Sequence, residues 1–407
     1  MPYDVNAIRA DFPSLDQRFG GKPPIYFDNA CTTLRPRQVI AAMDEYYTQY
    51  PSCHGRTQHR FGRLTTEKFA AARDRLARFV GARKRHHLIF VRNVTEAINL
   101  VARGLRMSPG QVVVTGAAEH NSNLLPWQRI AKDAQVERRI VPLAPDLTFD
   151  LAAYEAALDQ RVRLVSLAHT SNLTGCTIPA REVIAKAHAC GALVFLDGAQ
   201  SAPHLPVDVD ALDVDFYAFS CHKMLGPSGF GVLCAKEEAL REVEPLLTGG
   251  ETVLDTTYNT ADVAPPPDRY EAGLQDYAGA LGAAAAADYL RRVGLTAVHE
   301  HELDLNRHLT DALTSLPGVH LLGPPDAALR GGIVNFCVDD FDPMELAVLL
   351  DQTSNIMVRA GVHCVHSWYH ATGTPHSVRV SFYLYNTHDE VDILIADLRR
   401  LLKFYRR

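Results

Sequence analysis

The chain has 407 residues, more than one core usually holds, so a large and a small domain are expected. Hydrophobic residues at 47% and charged residues at 22% describe a folded globular protein and exclude a disordered one. A net charge of -6 leaves no basic footprint for nucleic acid or an anionic membrane. No apolar run is long enough to span a bilayer and no basic-then-apolar leader opens the chain, so the cytoplasm is the expected compartment. Eight cysteines scattered without a CxxC pair argue against a zinc or disulfide framework.

The segment through Arg18 reads as a short helix and a loop that join another part of the chain. Residues 25–30 read as a strand, followed by the polar turn Cys31-Thr32-Thr33. Cys31 is either a reactive thiol or, more simply, a small buried residue. Residues 51–60 are polar, basic and too irregular for core. Thr65 or Thr66 then reads as the cap of a helix running to about Val80, with Phe69, Ala70, Leu76 and Phe79 on one face.

Residues 90–100 read as strand, turn and helix start, with Asn93 as the cap. Free amides and the helix dipole make such a terminus an anion site, although a simple capped helix accounts for the same residues. A buried strand at 112–115 leads into Glu119-His120-Asn121-Ser122, and another at 164–168 leads into His169-Thr170-Ser171-Asn172.

The apolar run 193–196 ends in Asp197. A carboxylate there faces the crevice in which open α/β sheets bind ligands, although an aspartate at a strand end is also often a helix cap. The aromatic strand 215–219 ends in Ser220-Cys221-His222-Lys223, and Gly226-Pro227-Ser228-Gly229 turns the chain at once. A partly desolvated lysine can lose its proton and act as an amine nucleophile for a Schiff base; the competing account is a strand end whose lysine reaches water. Pyridoxal phosphate needs both an amine and an anion at its ring nitrogen. Asp197 and Lys223, on successive strand ends, supply them.

Asp197-Gly198-Ala199-Gln200 and Ser220-Cys221-His222-Lys223 resemble segments of the class V aminotransferase fold, fold type I, of pyridoxal phosphate enzymes. Within it the chain most resembles the group II cysteine desulfurases and selenocysteine lyases, over nearly its whole length. The resemblance implies an α/β fold with a mainly parallel seven-stranded sheet covered by helices, plus a smaller α+β domain. We expect the large domain at 19–275 and the small one at 1–18 with 276–407. The resemblance also implies pyridoxal 5'-phosphate on Lys223, with Asp197 at the ring nitrogen, Gln200 and Asn172 at the ring hydroxyl, and His120 stacked on the ring. Ser220, His222, Thr95 and the backbone at Val94 would hold the phosphate; relatives carry a second hydroxyl residue where this chain has Val94. Residues 51–60 would line the mouth, sometimes across a homodimer interface, with altered spacing here. Leu274 stands where relatives carry a threonine that reaches the neighbouring subunit's phosphate, so that contact is either lost or replaced, by Gln275 or by nearby backbone.

An alanine-rich helix at 275–292 is expected to begin the passage into the small domain. There, 332–338 reads as a strand and 344–350 as a helix. Thr387 and Glu390 form a capping box for the last helix, whose cationic end is Arg406-Arg407. Between these elements, Cys364 matches the desulfurase nucleophile. The resemblance implies a thiolate on a mobile loop that attacks the sulfur of cofactor-bound cysteine, leaving an enzyme persulfide and releasing alanine. His363 and His366 would lower its pKa or donate protons. A metal site of His363, Cys364, His366 and His370 suits the loop less well, and no metal is expected. Val362 replaces one of a usual pair of histidines, and His-Ser-Trp replaces the usual tail.

Arg379, inside an apolar strand, matches the arginine that grips the substrate α-carboxylate, and Arg359 is a second candidate for that ligand. The expected protein is a cytoplasmic homodimer that cleaves the C–S bond of L-cysteine and passes sulfur through Cys364 to an acceptor protein. One alternative is a C–S β-lyase acting on S-substituted cysteines, with Cys364 non-essential. Another is a non-catalytic sulfur-relay scaffold, which would need none of Lys223, Asp197, His120 and Arg379.

Overall fold

After a first short strand, β1 (Ile25–Tyr26), the apolar runs of the chain assemble into one sheet in the computed structural model, which describes residues 3–405. Its strands are β2 (His86–Val91), β3 (Val112–Gly116), β4 (Glu137–Val141), β5 (Val162–Ala168), β6 (Leu193–Asp197), β7 (Phe216–Ser220) and β8 (Gly231–Lys236). The order is β2-β8-β7-β6-β5-β3-β4 in a seven-stranded sheet. Strands β3 to β7 pair in parallel, while β8 runs antiparallel between β7 and β2. From β3 the chain moves to one side to form β4, then returns to the other to form β5. That reversal opens a crevice at the carboxyl ends of β3 and β5, where α/β sheets bind ligands.

Both faces are covered, which is why the strands inside the sheet are largely apolar; the edge strand β4 is not. Helices Arg37–Gln49, Arg60–Phe79 and Tyr277–Val293 pack over one face through Val39, Phe69, Leu76 and Leu290. Helices Val94–Gly104 and Asn121–Asp133 cover the other through Ile98, Val101 and Trp127. A hairpin, β9 (Val253–Thr256) and β10 (Ala261–Val263), projects with Leu254 and Tyr258 exposed.

The last third builds a second, antiparallel sheet of β11 (Val319–Leu321), β12 (Ile333–Val338), β14 (Arg359–Gly361) and β15 (Ser377–Ser381), with β13 (Ile356–Met357) just before β14. Helices Leu295–Thr314, Pro343–Ser354 and His388–Tyr405 close its core around Leu309, Leu350, Val380 and Leu398. Thr387 and Glu390 form the capping box reciprocally, at 3.2 and 3.1 Å; Arg406 and Arg407 lie outside the described residues. Among the described residues no helix is long and apolar enough to cross a membrane.

The packing departs from expectation in several places. The helix expected to start at Thr65 or Thr66 begins at Arg60, because His59 Nδ1 accepts from the Gly62 amide at 3.2 Å while the Thr65 hydroxyl donates to Tyr50. Helix Tyr277–Val293 packs into the core of the large sheet, and its run of buried alanines lets it approach its neighbours closely. Ile8, Phe12 and Leu15 join that same core, whereas Ile25 and Phe27 join the smaller one, carried there by the parallel β1–β13 pairing.

Candidate active site

Strand ends from both sheets meet in an open cleft of about 230 Å³. At one end lies the start of helix Val94–Gly104. Asn93 Oδ1 caps it by accepting from the Glu96 amide at 3.0 Å, and the Val94 amide donates to Ser220 Oγ at 3.0 Å. The Thr95 hydroxyl pairs with Ser122 Oγ at 2.7 Å. Helix amides, hydroxyls and the His222 imidazole therefore converge where an anion would sit. The loop bearing His222 is fixed from behind: its carbonyl accepts from the Thr33 amide at 3.0 Å and the Thr32 hydroxyl at 3.1 Å. Burial holds the His222 imidazole down to about 4, so it is neutral around pH 7.

The floor is Asp197 and Lys223. Asp197 is buried, and one carboxylate oxygen accepts from the Ala199 amide at 2.9 Å. Among the described residues no cation stands within ion-pairing distance of it. Burial pushes this carboxyl up, opposed by the Ala199 amide and by Lys223. Burial likewise pulls the Lys223 ammonium below its ordinary range, with Asp197 the main opposing charge. Gly198 is required between Asp197 and Gln200, since a Cβ there would lie 2.3 Å from the Tyr217 ring. His120 ends the loop after β3 and caps the next helix, its Nδ1 accepting from the Ser122 amide at 3.1 Å. That bond leaves the ring proton on Nε2, and burial with nearby Lys223 holds the imidazole down to about 3. One N–H of the Gln200 amide donates to the Ala30 carbonyl at 2.8 Å, and Oε1 is buried without a partner.

The opposite wall comes from the smaller sheet. Arg379, on β15, is buried; one Nη donates to the Asn172 carbonyl at 3.0 Å, the other lies 3.5 Å from Asp28, and Nε has no partner. Arg359, on β14, lies 3.9 Å from Asp28 and 3.0 Å from Cys31 Sγ. Asn172 lines the cleft, and one N–H of its amide donates to the His363 carbonyl at 2.8 Å. Cys364 does not lie on a long free loop. It follows His363 in a short turn where both residues take left-handed conformations, φ 48° and 61°, costly for side-chain-bearing residues. The Asn121 amide holds the Cys364 carbonyl at 2.8 Å. The His363 ring is buried and its Nε2 bonds to Ser377 Oγ at 2.9 Å, itself 2.6 Å from the Tyr369 hydroxyl. His366 and His370 face outward, exposed, His366 bonded to Asn121 at 2.9 Å.

The cleft thus brings together Val94, Thr95, His120, Asn172, Asp197, Gln200, Ser220, His222, Lys223, Arg359, Cys364 and Arg379. It does not include residues 51–60, of which Arg56 pairs with Glu251 at 3.8 Å. Nor does it include Leu274, which is exposed, while the Gln275 amide is bonded to the Glu271 and Gly273 carbonyls. The sequence reading gave no role to Ser122 and Asn121. Their roles are contacts across the chain, and only their position beside recognised strand ends hinted at them.

The chemistry of this set fits pyridoxal phosphate: an amine, a buried carboxylate lacking a cation, an anion-binding helix start and a guanidinium with an orphaned donor. A family model described as Aminotransferase class-V matches residues 25–394. A probable cysteine desulfurase of Halobacterium salinarum is 40% identical, covering 97% of this chain and 96% of its own. The apo cysteine desulfurase of Thermococcus onnurineus superposes with a TM-score of 0.93 at 36% identity, covering 98% of each chain. More distant, at 25% identity and covering 98% of its own chain, is C-DES. It has been solved with glycine covalently linked to its PLP cofactor (TM-score 0.83, 96% of this chain) and, as a cystine C–S lyase, with its product cysteine persulfide (TM-score 0.82, 95% of this chain).

Proposed function

The chain belongs to the class-V aminotransferase family, and we infer that it is a pyridoxal-phosphate-dependent cysteine desulfurase-like enzyme, moving sulfur from L-cysteine to Cys364 and releasing alanine. The observation that carries this reading is the Cys364 thiol, held by a strained and anchored turn in the same cleft as Lys223 and Arg379. When bound, pyridoxal phosphate supplies an aldehyde for amines and an electron sink for the carbon beside them.

Lys223 would anchor that group through Nζ, and the desolvation that lowers its pKa suits it both to that bond and to moving the substrate α-proton. Asp197 would pair with the ring nitrogen, the cation it lacks within the chain. Ser220, His222, Thr95 and the backbone at Val94 would take the phosphate. His120, neutral with its proton on Nε2, would flank the ring and can donate there. Gln200 and Asn172 would meet the ring hydroxyl. Arg379, with its unpartnered Nε, would grip the substrate carboxylate, with Arg359 beside it. Cys364 Sγ then attacks the substrate sulfur: an S–S bond forms, the substrate C–S bond breaks, and its electron pair stays on the carbon, which takes up a proton to become alanine's methyl group.

We read the molecule as a cytoplasmic homodimer. The exposed Leu254, Tyr258 and Val263 of the hairpin, with Leu247 and Leu274, support the dimer, since single exposed apolar residues are ordinary but a projecting apolar arm marks an interface. The two sheets support two domains meeting at the cleft, and a sulfur-acceptor protein would collect the product. Likeness to C-DES keeps a C–S lyase as the second reading.

The test is the intact mass of the holoenzyme after L-cysteine, beside Cys364→Ala, with alanine assayed in parallel. A persulfide adduct and alanine release, both lost in the variant by at least about tenfold, are expected. Pyruvate and free sulfide from either protein, without an adduct, would establish the lyase instead.

A further inference from the structure

Of the eight free cysteines, two line the cleft: Cys364 and Cys31. Cys31 is not the small core residue its sequence suggested. It is half-buried, and the Arg359 guanidinium donates to its sulfur at 3.0 Å. Arg359 opens β14, the strand that runs on into His363 and Cys364, so one short segment touches the first thiol and carries the second. Both sulfurs lie near enough to Lys223 for a charge on either to stabilise its ammonium. The Cys31 turn is also firmly set. Ser381 Oγ accepts from the Ala30 amide at 2.9 Å, Gln200 holds the Ala30 carbonyl at 2.8 Å, and the Cys31 amide donates to the Asp28 carbonyl at 3.1 Å.

We propose that Cys31 is a second sulfur-accepting thiol, taking the outer sulfur of the Cys364 persulfide inside the cleft. This rests on the desulfurase reading of the same site. The Cys31 sulfur attacks the terminal sulfur on Cys364; a new S–S bond forms to Cys31 and the old one breaks. The old bond's electron pair, with the proton that Cys31 gives up, goes to Cys364 Sγ. One sulfur atom changes thiol, and no oxidant or reductant is consumed. Cys364 is then free to take a second sulfur before any external acceptor arrives.

The experiment gives L-cysteine to the anaerobic holoenzyme without an acceptor, then reads intact mass, the alanine burst and the modified peptides. Wild type is compared with Cys31→Ser and Cys364→Ser. Two added sulfurs per subunit, mapped to Cys31 and Cys364, and an alanine burst twice that of Cys31→Ser are expected, with no adduct in Cys364→Ser. One sulfur and an equal burst in wild type and Cys31→Ser would overturn the proposal and leave the desulfurase reading standing. A second sulfur mapping to the exposed Cys53 would do the same. Pyruvate and sulfide with no adduct in any protein would overturn both.

Discussion

Glu119 lies one residue before His120 and is buried. Its carboxyl accepts from Asn123 Nδ2 at 2.7 Å and from the Ala168 amide at 3.1 Å, so it ties the loop after β3 to the end of β5. Burial pushes it from an ordinary 4.5 up to about 8. Between these values the folded protein holds a proton that the unfolded chain releases. Its stability is therefore whole below the lower value and falls as pH rises to the upper, by about 1.4 kcal/mol per unit. Glu119→Gln keeps the acceptor and the shape without the ionisation. Its denaturant midpoint should gain on wild type steadily as pH rises from 4.5 to 8. A gap that is the same at both ends of that range would refute the assignment. Nothing in the sequence marks Glu119, because its burial depends on Asn123 and Ala168. Lys223, Asp197 and Arg379 were legible for the opposite reason: each is a charge at or within an apolar strand, a placement that solvation does not explain.

At the scale of elements, the anion-binding turn owes its position to Gly231. A Cβ there would stand 2.9 Å from Asn93 Cα and 2.9 Å from the Phe219 carbonyl, so β8 approaches the helix cap only as glycine. Gly231→Ala should push that cap away from Ser220, cost about 1–3 kcal/mol of stability and weaken pyridoxal phosphate binding. Titration of the apoprotein with the cofactor, followed by absorbance, measures the second effect; unchanged affinity would mean the close approach does not set the turn. The strands of the large sheet could be read because burial on both faces makes them continuous apolar runs. Strand β4 could not, since it is the edge: Glu137 and Arg139 project into ion pairs with each other and with Asp159 and Arg161. The start of helix Arg60–Phe79 was hidden likewise, because a histidine supplied the cap that serine, threonine, aspartate or asparagine usually provides.

Over the whole molecule, Lys223 and Asp197 stand on one sheet and Cys364 and Arg379 on the other, so the cleft exists only while the two cores stay in register. Helix Leu295–Thr314 bridges them: Val298 packs with the larger core and Leu305 and Leu309 with the smaller. From its fully buried middle, Glu302 meets His204, in the loop after β6, at 2.7 Å. Burial pushes the Glu302 carboxyl up, and His204 is the first group holding it down. His204→Ala leaves that carboxylate buried without its partner and should cost about 3–5 kcal/mol, since removing one member of a buried pair exposes the desolvation of the other. Glu302→Gln removes the charge itself, so adding it to His204→Ala should recover much of the loss rather than add to it. Denaturant unfolding of the two single variants and the double one, followed by tryptophan fluorescence and by far-ultraviolet dichroism, tests this. Trp127 lies in the larger core and Trp368 beside the Cys364 turn, so both sides of the cleft report. Coincident transitions with strong coupling would make this pair a clamp across the active site. Additive losses would mean that the β1–β13 pairing and the bridging helix hold the register without it.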